Sequence, residues 1–138
     1  MGEKRLFALR GATRCLNEAE DIQNQVLQMY DELLSKNNLT EDALVSVIFS
    51  VTGDLNAKNP ASALRQKGRA SNTALFVTQE AYFPGGLERV IRLLVHCYLE
   101  AGETPIHVYR NGAEVLRPDL SENEGLRLAQ PLPKLRLC

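Results

Sequence analysis

The chain has 138 residues, 44% of them hydrophobic and 24% charged, and a formal net charge of -1. That length and composition suit one domain with its own core. They exclude a global field that would draw the protein to nucleic acid or to an anionic membrane, and no apolar run is long enough to span a bilayer. Cys15, Cys97 and Cys138 form an odd set without metal-ligand spacing, and His96 and His107 stand apart from one another. The expectation is a reduced, cytoplasmic protein with no metal site. No apolar stretch follows Met1-Gly2-Glu3-Lys4-Arg5, so no signal peptide is expected. Lysine occurs only at positions 4, 36, 58, 67 and 134, and arginine clearly outnumbers it. An arginine fork matches carboxylate geometry and keeps its charge when desolvated, which makes a small anionic ligand a reasonable expectation.

Lys4 to Arg10 reads as a first strand, with Gly11-Ala12-Thr13 ending it and Arg10 at its end. Asn17 with Glu20 resembles a capping box. Ile22, Val26, Tyr30 and Leu33/Leu34 then make the apolar stripe of a long helix, stopped near Lys36 by Asn37-Asn38. Thr40 can cap a short helical turn at Glu41-Asp42-Ala43. Val45 to Thr52 is the clearest strand, with Val45, Val47, Phe49 and Val51 on one face and Ser46, Ile48, Ser50 and Thr52 on the other. Gly53-Asp54 turns the chain. Asn59-Pro60 opens a second helix, since Asn is a favoured N-cap and Pro suits the first helical position, and Gly68 closes it.

Leu75 to Glu80 reads as a buried strand ending at a carboxylate. Ala81 to Gly86 follows as a turn. Leu87, Val90, Ile91, Leu94 and Tyr98 then fall at helical spacing, predicting a helix to about Ala101 with Arg92 in its early turns. Strand ends and early helix turns are where α/β proteins hold ligands, yet Glu80 and Arg92 also fit an ordinary surface pair. Ile106 to Tyr109 reads as a strand. Asn111-Gly112 carries the signal of a type I′ hairpin, with Ala113 to Leu116 returning. Beyond Ser121 the pattern fades, and the prolines at 131 and 133 predict a mobile tail over 121–138. The whole predicts one α/β or α+β domain over 1–120, a mixed sheet with helices on one face. The other apolar face then needs a cover, and oligomerisation through the sheet is the simplest one.

Four segments resemble the small, monofunctional chorismate mutases of the AroH class. They are Leu9-Arg10-Gly11-Ala12-Thr13; Ser50-Val51-Thr52-Gly53-Asp54-Leu55 with Pro60-Ala61 and Arg65; Gln79-Glu80 through Gly85-Gly86-Leu87 to Ile91-Arg92; and His107-Val108-Tyr109 with Leu116-Arg117-Pro118-Asp119-Leu120. The resemblance runs in order from about Leu6 to Leu120. It implies an α+β subunit that forms a trimeric, barrel-like core, with active sites in clefts between subunits. It also implies conversion of chorismate to prephenate on the route to phenylalanine and tyrosine, without cofactor or metal. By the same resemblance Arg10 binds a substrate carboxylate, Tyr109 donates a further hydrogen bond, Glu80 accepts from the substrate hydroxyl, and Arg92 meets the ether oxygen whose bond breaks. Arg65 and Arg117 support carboxylate binding near the cleft mouth. Phe76, Val77, Thr78 and Gln79 line the floor between subunits. Asn59, Ser62 and Val77 depart from residues that other members often carry. They leave open a trimer that binds a dicarboxylate without turnover. An imine deaminase of the Rid type shares a related architecture, though no stretch here matches its signature.

Overall fold

The computed structural model describes residues 2–120; the tail expected over 121–138 lies outside them. The elements run β1 (Lys4–Arg14), α1 (Ala19–Lys36), a 3-10 turn (Glu41–Ala43), β2 (Leu44–Val51), α2 (Pro60–Gln66), β3 (Ala74–Gln79), β4 (Val90–Glu100) and β5 (Val108–Arg110). Two further 3-10 turns, Ala113–Leu116 and Pro118–Leu120, complete the described residues. The five strands form one sheet in the order β3-β2-β4-β1-β5. β2 pairs parallel with β3, and β1 parallel with β5, while β4 lies antiparallel between β1 and β2. This is the mixed α+β sheet that the sequence predicts.

Alternation builds the core. Val47, Phe49 and Val51 of β2, Phe7 and Leu9 of β1, and Ile91, Leu93, Val95, Cys97 and Leu99 of β4 turn inward. Against them α1 sets Ile22, Val26, Met29, Tyr30 and Leu33, all buried at helical spacing. Each such side chain contributes roughly 1.5–3 kcal/mol on burial. Gly11 is the close point of this packing: a Cβ there would lie 3.3 Å from Met29 Sδ. Val45, expected on the inward face, is exposed, because the β2–β4 register shifts between Leu44 and Ser46.

Several local expectations need correction. The segment read as a helix after Gly86 is strand β4. Its inward residues alternate strictly, and its second face also carries the apolar Leu94 and Tyr98. That gives a nearly continuous apolar run, whose spacing fits either period. β1 does not end at Arg10. It runs to Arg14 because Gly11, Ala12 and Thr13 pair with Leu93, Arg92 and Ile91. Asn17 caps no helix. Its Oδ1 accepts from Asn56 and Ala57 N–H, both at 2.9 Å, and Glu18 takes the N-cap position without a side-chain bond. Thr40 precedes its 3-10 turn, likewise without a capping bond from its side chain. Asn59, by contrast, caps α2 as expected, accepting from Ala61 N–H at 2.8 Å and Ser62 N–H at 3.3 Å.

The Asn111-Gly112 turn has the predicted backbone sense, with φ 55 and 94, both left-handed. No return strand follows it. Asn111 Nδ2 donates to Thr13 Oγ1 at 3.0 Å and to Gln25 Oε1 at 2.8 Å, and Ala113 is buried. The turn is therefore anchored to β1 and α1, and the chain tightens into a 3-10 turn rather than a hairpin arm.

Both helices lie on the inward face of the sheet. The other face stays uncovered in the single chain and bears Leu6, Phe76 and Tyr98 at 48%, 64% and 47% exposure. Those values match surface residues, yet the side chains are large, apolar and grouped on one side of one sheet. No helix among the described residues is long and apolar enough to cross a membrane.

Candidate active site

The register of the sheet places one residue from each strand in a line across the uncovered face: Thr78, Ser50, Arg92, Ala12 and Tyr109, from β3, β2, β4, β1 and β5 in turn. Neighbouring strands are about 4.8 Å apart, so Arg92 and Tyr109 stand about 10 Å apart at the backbone with only the methyl of Ala12 between them. A second line runs beside it through Phe76, Ile48, Leu94 and Arg10. The two lines bring Arg92, Tyr109 and Arg10 to one side of one surface.

Glu80 follows directly on β3. Its N–H donates to Val51 C=O at 2.8 Å, which extends the parallel pairing by one step and fixes where the side chain starts. The Ser50 hydroxyl donates to Glu80 Oε1. Arg92 Nε lies 3.5 Å from the same oxygen, with the two side chains 33% and 23% exposed. The pair is thus partly desolvated yet open to a ligand from the uncovered side.

The entry of β4 is also fixed by side chains. Asp54 accepts from Arg89 N–H through both oxygens, at 3.2 and 3.1 Å, and Thr52 Oγ1 accepts from Val90 N–H at 2.9 Å. Arg89 has a left-handed φ of 53, and this clamp holds it at the turn into the strand that carries Arg92.

Arginine charge dominates the far end of the line. Burial raises the Tyr109 phenol above its ordinary value, while Arg10, Arg117 and Arg92 pull it down and Asp119 pushes it up. Tyr109 therefore remains a neutral hydrogen-bond donor at physiological pH. Burial lowers His107, and the positive charges of Arg10 and Arg117 lower it further. Arg117 is forked onto Asp119, Nε to Oδ1 at 3.1 Å and Nη2 to Oδ2 at 2.8 Å. The charges of Arg10, Arg92 and Arg117 thus all act on one phenol, while Asp119 pairs with Arg117 and Glu80 with Arg92. Such an arrangement can bind a small dianion and hold an oxygen that gains negative charge.

Not every expected residue joins the line. Phe76 and Thr78 share its face, whereas Val77 and Gln79 point to the opposite side, as alternation along β3 requires. Arg65 is exposed on α2, in the helical layer, with Nη2 3.5 Å from Ser62 Oγ. Arg92, expected in the early turns of a helix, sits in strand β4. Sequence reasoning passed over Ser50, Ala12 and His107. The strict alternation of β2 was the signal that could have put Ser50 on the ligand side. Among the described residues, no group of three or more His, Cys, Asp and Glu side chains gathers as a metal site.

Comparison with known proteins identifies the family. Residues 6–120 match the family described as chorismate mutase type I. Chorismate mutase AroH of Bacillus subtilis (strain 168) is 30% identical over 122 residues, which covers 87% of this chain and 96% of that one. Chorismate mutase AroH of Thermus thermophilus is 36% identical over 118 residues, 81% and 96% of the two chains. The solved structure of a chorismate mutase from Clostridium thermocellum is 40% identical and superposes with a TM-score of 0.73, covering 80% of this chain and 99% of that one. An unbroken match from β1 to the last 3-10 turn, shared with relatives of nearly equal length, leaves one conclusion: the chain belongs to the chorismate mutase type I family.

Proposed function

We propose that this protein rearranges chorismate to prephenate in aromatic amino acid biosynthesis, on the uncovered face of its sheet. The observation that carries the reading is Arg92, central in the line of side chains, beside a Glu80 carboxylate fixed by Ser50. The reaction is a Claisen rearrangement within one molecule. The ether C–O bond breaks, a new C–C bond forms, and no proton is transferred. Such a reaction needs neither nucleophile nor general base. It needs the substrate folded into its reactive shape and a fixed positive group where the ether oxygen becomes negative.

Arg10 and Tyr109 bind and orient the substrate carboxylate side. Glu80 accepts from the ring hydroxyl, and that bond fixes the end of the molecule opposite the carboxylates. Arg92 meets the ether oxygen, and its contact strengthens as the bond stretches, so it lowers the barrier rather than merely binding substrate. Arg117 supports carboxylate binding at the mouth, its guanidinium oriented by the fork onto Asp119.

The finer proposal is a homotrimer. Large apolar side chains on the uncovered face support it, since another copy of the sheet would bury Leu6, Phe76 and Tyr98. Arg65 and the edge strand carrying Phe76, Val77, Thr78 and Gln79 would then complete the cleft of a neighbouring subunit. The position of Arg65 on α2, in the helical layer and off the face that carries Arg92, supports that assignment. The buried free thiols of Cys15 and Cys97 suit the cytoplasm.

The test is loss of chorismate absorbance with purified protein, with Arg92→Ala as control. Prephenate formation by the parent and not by the variant is expected. Calorimetric binding of chorismate with no prephenate formed would reject catalysis and leave a dicarboxylate-binding protein.

A further inference from the structure

β5 is short. It holds Tyr109 to β1 through three residue pairs, Gly11↔Val108, Ala12↔Tyr109 and Thr13↔Arg110. The next pair in that parallel ladder would be Arg10 with residue 107, and there the backbone ladder stops. His107 continues it with its side chain: the Arg10 N–H donates to His107 Nδ1 at 3.0 Å. The imidazole takes the place that a carbonyl would hold on a longer strand. One residue earlier, the segment is fixed again. Asn37, buried at the end of α1, accepts from Ile106 N–H at 2.8 Å and donates Nδ2 to Ile106 C=O at 2.8 Å. A two-way amide clamp thus holds Ile106, and the ring of the next residue closes on Arg10.

We propose that His107 is a positioning residue, its neutral Nδ1 acting as a side-chain rung that sets the spacing between Arg10 and Tyr109 on the substrate-binding surface. The role follows from which residues it joins. Arg10 lies on the line beside Arg92, and Tyr109 is two residues beyond His107 on the strand the rung secures. His107 itself need not touch substrate. The rung requires an unprotonated Nδ1, so the proton of the neutral ring belongs on Nε2.

The surroundings keep the ring in that form. Arg10 of β1 and Arg117 of the turn after β5 face it with positive charge, and Arg117 carries Asp119 on its fork. At Ile106, one residue before it, the end of α1 contributes the neutral amide of Asn37. A proton on Nδ1 would turn the acceptor into a donor aimed at the Arg10 N–H, and the rung would open.

The placement of Arg10 and Tyr109 in substrate binding rests on the chorismate reading; the rung itself does not. Two measurements separate them. The first is nitrogen-15 NMR of the parent protein at pH 7.5, which reads the tautomer. An unprotonated Nδ1 that gains a proton at lower pH, together with a shift of the Arg10 amide, is expected. A ring protonated on Nδ1 at pH 7.5 overturns the proposal, whatever the activity.

The second is kinetics of His107→Asn and His107→Leu. The Asn side-chain oxygen can occupy the Nδ1 position, whereas Leu leaves the Arg10 N–H without an acceptor. For His107→Leu we expect KM to rise by roughly tenfold, in the range for an orphaned donor, with kcat within about twofold. We expect the KM of the parent to rise on acidification as Nδ1 gains its proton, and that of His107→Asn to lie near the parent's at pH 7.5 without such a rise. Equal losses in both variants, or a fall in kcat with KM unchanged, would overturn the positioning role. If His107→Leu fails to fold, the tautomer and the Asn variant still decide. A parent protein without chorismate turnover would reject the chorismate reading, while the NMR result would stand or fall independently.

Discussion

Arg92 and Glu80 lie 3.5 Å apart, Nε to Oε1, although one comes from near the start of a strand and the other from the residue just past a different strand. They meet because β2 lies between those two strands and lends Ser50 to the carboxylate. The guanidinium is thereby held beside a negative group that must also serve substrate. The arrangement keeps Arg92 in place before the ligand arrives, so little reorganisation remains for the reaction itself.

Removing Arg92 should therefore hurt most. Arg92→Ala is expected to lower kcat by about 10²–10³, equivalent to roughly 2.7–4 kcal/mol, with the circular dichroism spectrum unchanged. Arg92→Lys should remain poor, because an ammonium cannot reproduce the planar fork. Tyr109→Phe, which removes one neutral hydrogen bond of about 0.5–1.5 kcal/mol, should cost roughly 2- to 12-fold. Steady-state kinetics of the three variants would rank them, and equal kcat losses in Arg92→Ala and Tyr109→Phe would contradict the assignment.

Glu80 is assigned as an acceptor, so Glu80→Gln should be milder than Glu80→Ala in kcat/KM. Ser50→Ala removes the hydroxyl that fixes the carboxylate, and should lower kcat/KM by less than Glu80→Ala does. The reverse order, with Ser50→Ala the worse, would mean that the hydroxyl and not the carboxylate meets the substrate.

Acid should loosen the strand that carries Tyr109. Burial alone would raise Glu32, but hydrogen bonds from Lys36 and Arg110 outweigh it and hold the carboxyl below 4.5. Arg110 Nη1 lies 2.6 Å from Glu32 Oε1, and this pair ties β5 to α1. A lowered carboxylate stabilises the fold above its unfolded value, and that contribution disappears as pH falls below 4.5 through the folded value. Glu32→Gln should cost about 1 kcal/mol at pH 7 and progressively less as pH falls below 4.5. Urea denaturation at fixed protein concentration checks the difference.

Assembly should depend on the uncovered face. Tyr98→Asp places a charge beside Leu6 on the uncovered face without touching the inward core. It should yield a smaller species by light scattering and lose activity through the incomplete cleft. A trimer of parental stability in this variant would show that the copies meet elsewhere.

Much of this architecture was legible in the residues. β2 could be read because its two faces differ in polarity, and α2 because Asn59 and Pro60 mark its start chemically. β4 could not, because Leu94 and Tyr98 interrupt an outer face that otherwise carries Arg92, His96 and Glu100, and with Leu87, Val90 and Ile91 they also fit a helical spacing. Glu80 and Arg92 drew attention as charges beside buried segments. Their meeting required strand order, which a pattern along one chain does not contain. His107 was passed over for a similar reason. A lone histidine shows nothing until its partner, 97 positions away, is known.

The place of β1 in the sheet has a consequence for how the molecule is made. Among the described residues its strand partners are β4 and β5, so β1, synthesised before either, has no mate until Val90–Glu100 has been made. Until then its backbone groups are unclaimed and Phe7 and Leu9 have no complete core to enter. Closure over such a span is slow, and a waiting edge invites pairing with foreign chains. A nascent polypeptide halted short of Val90 would thus be the most aggregation-prone form of this protein, and chaperone dependence should be concentrated in that interval.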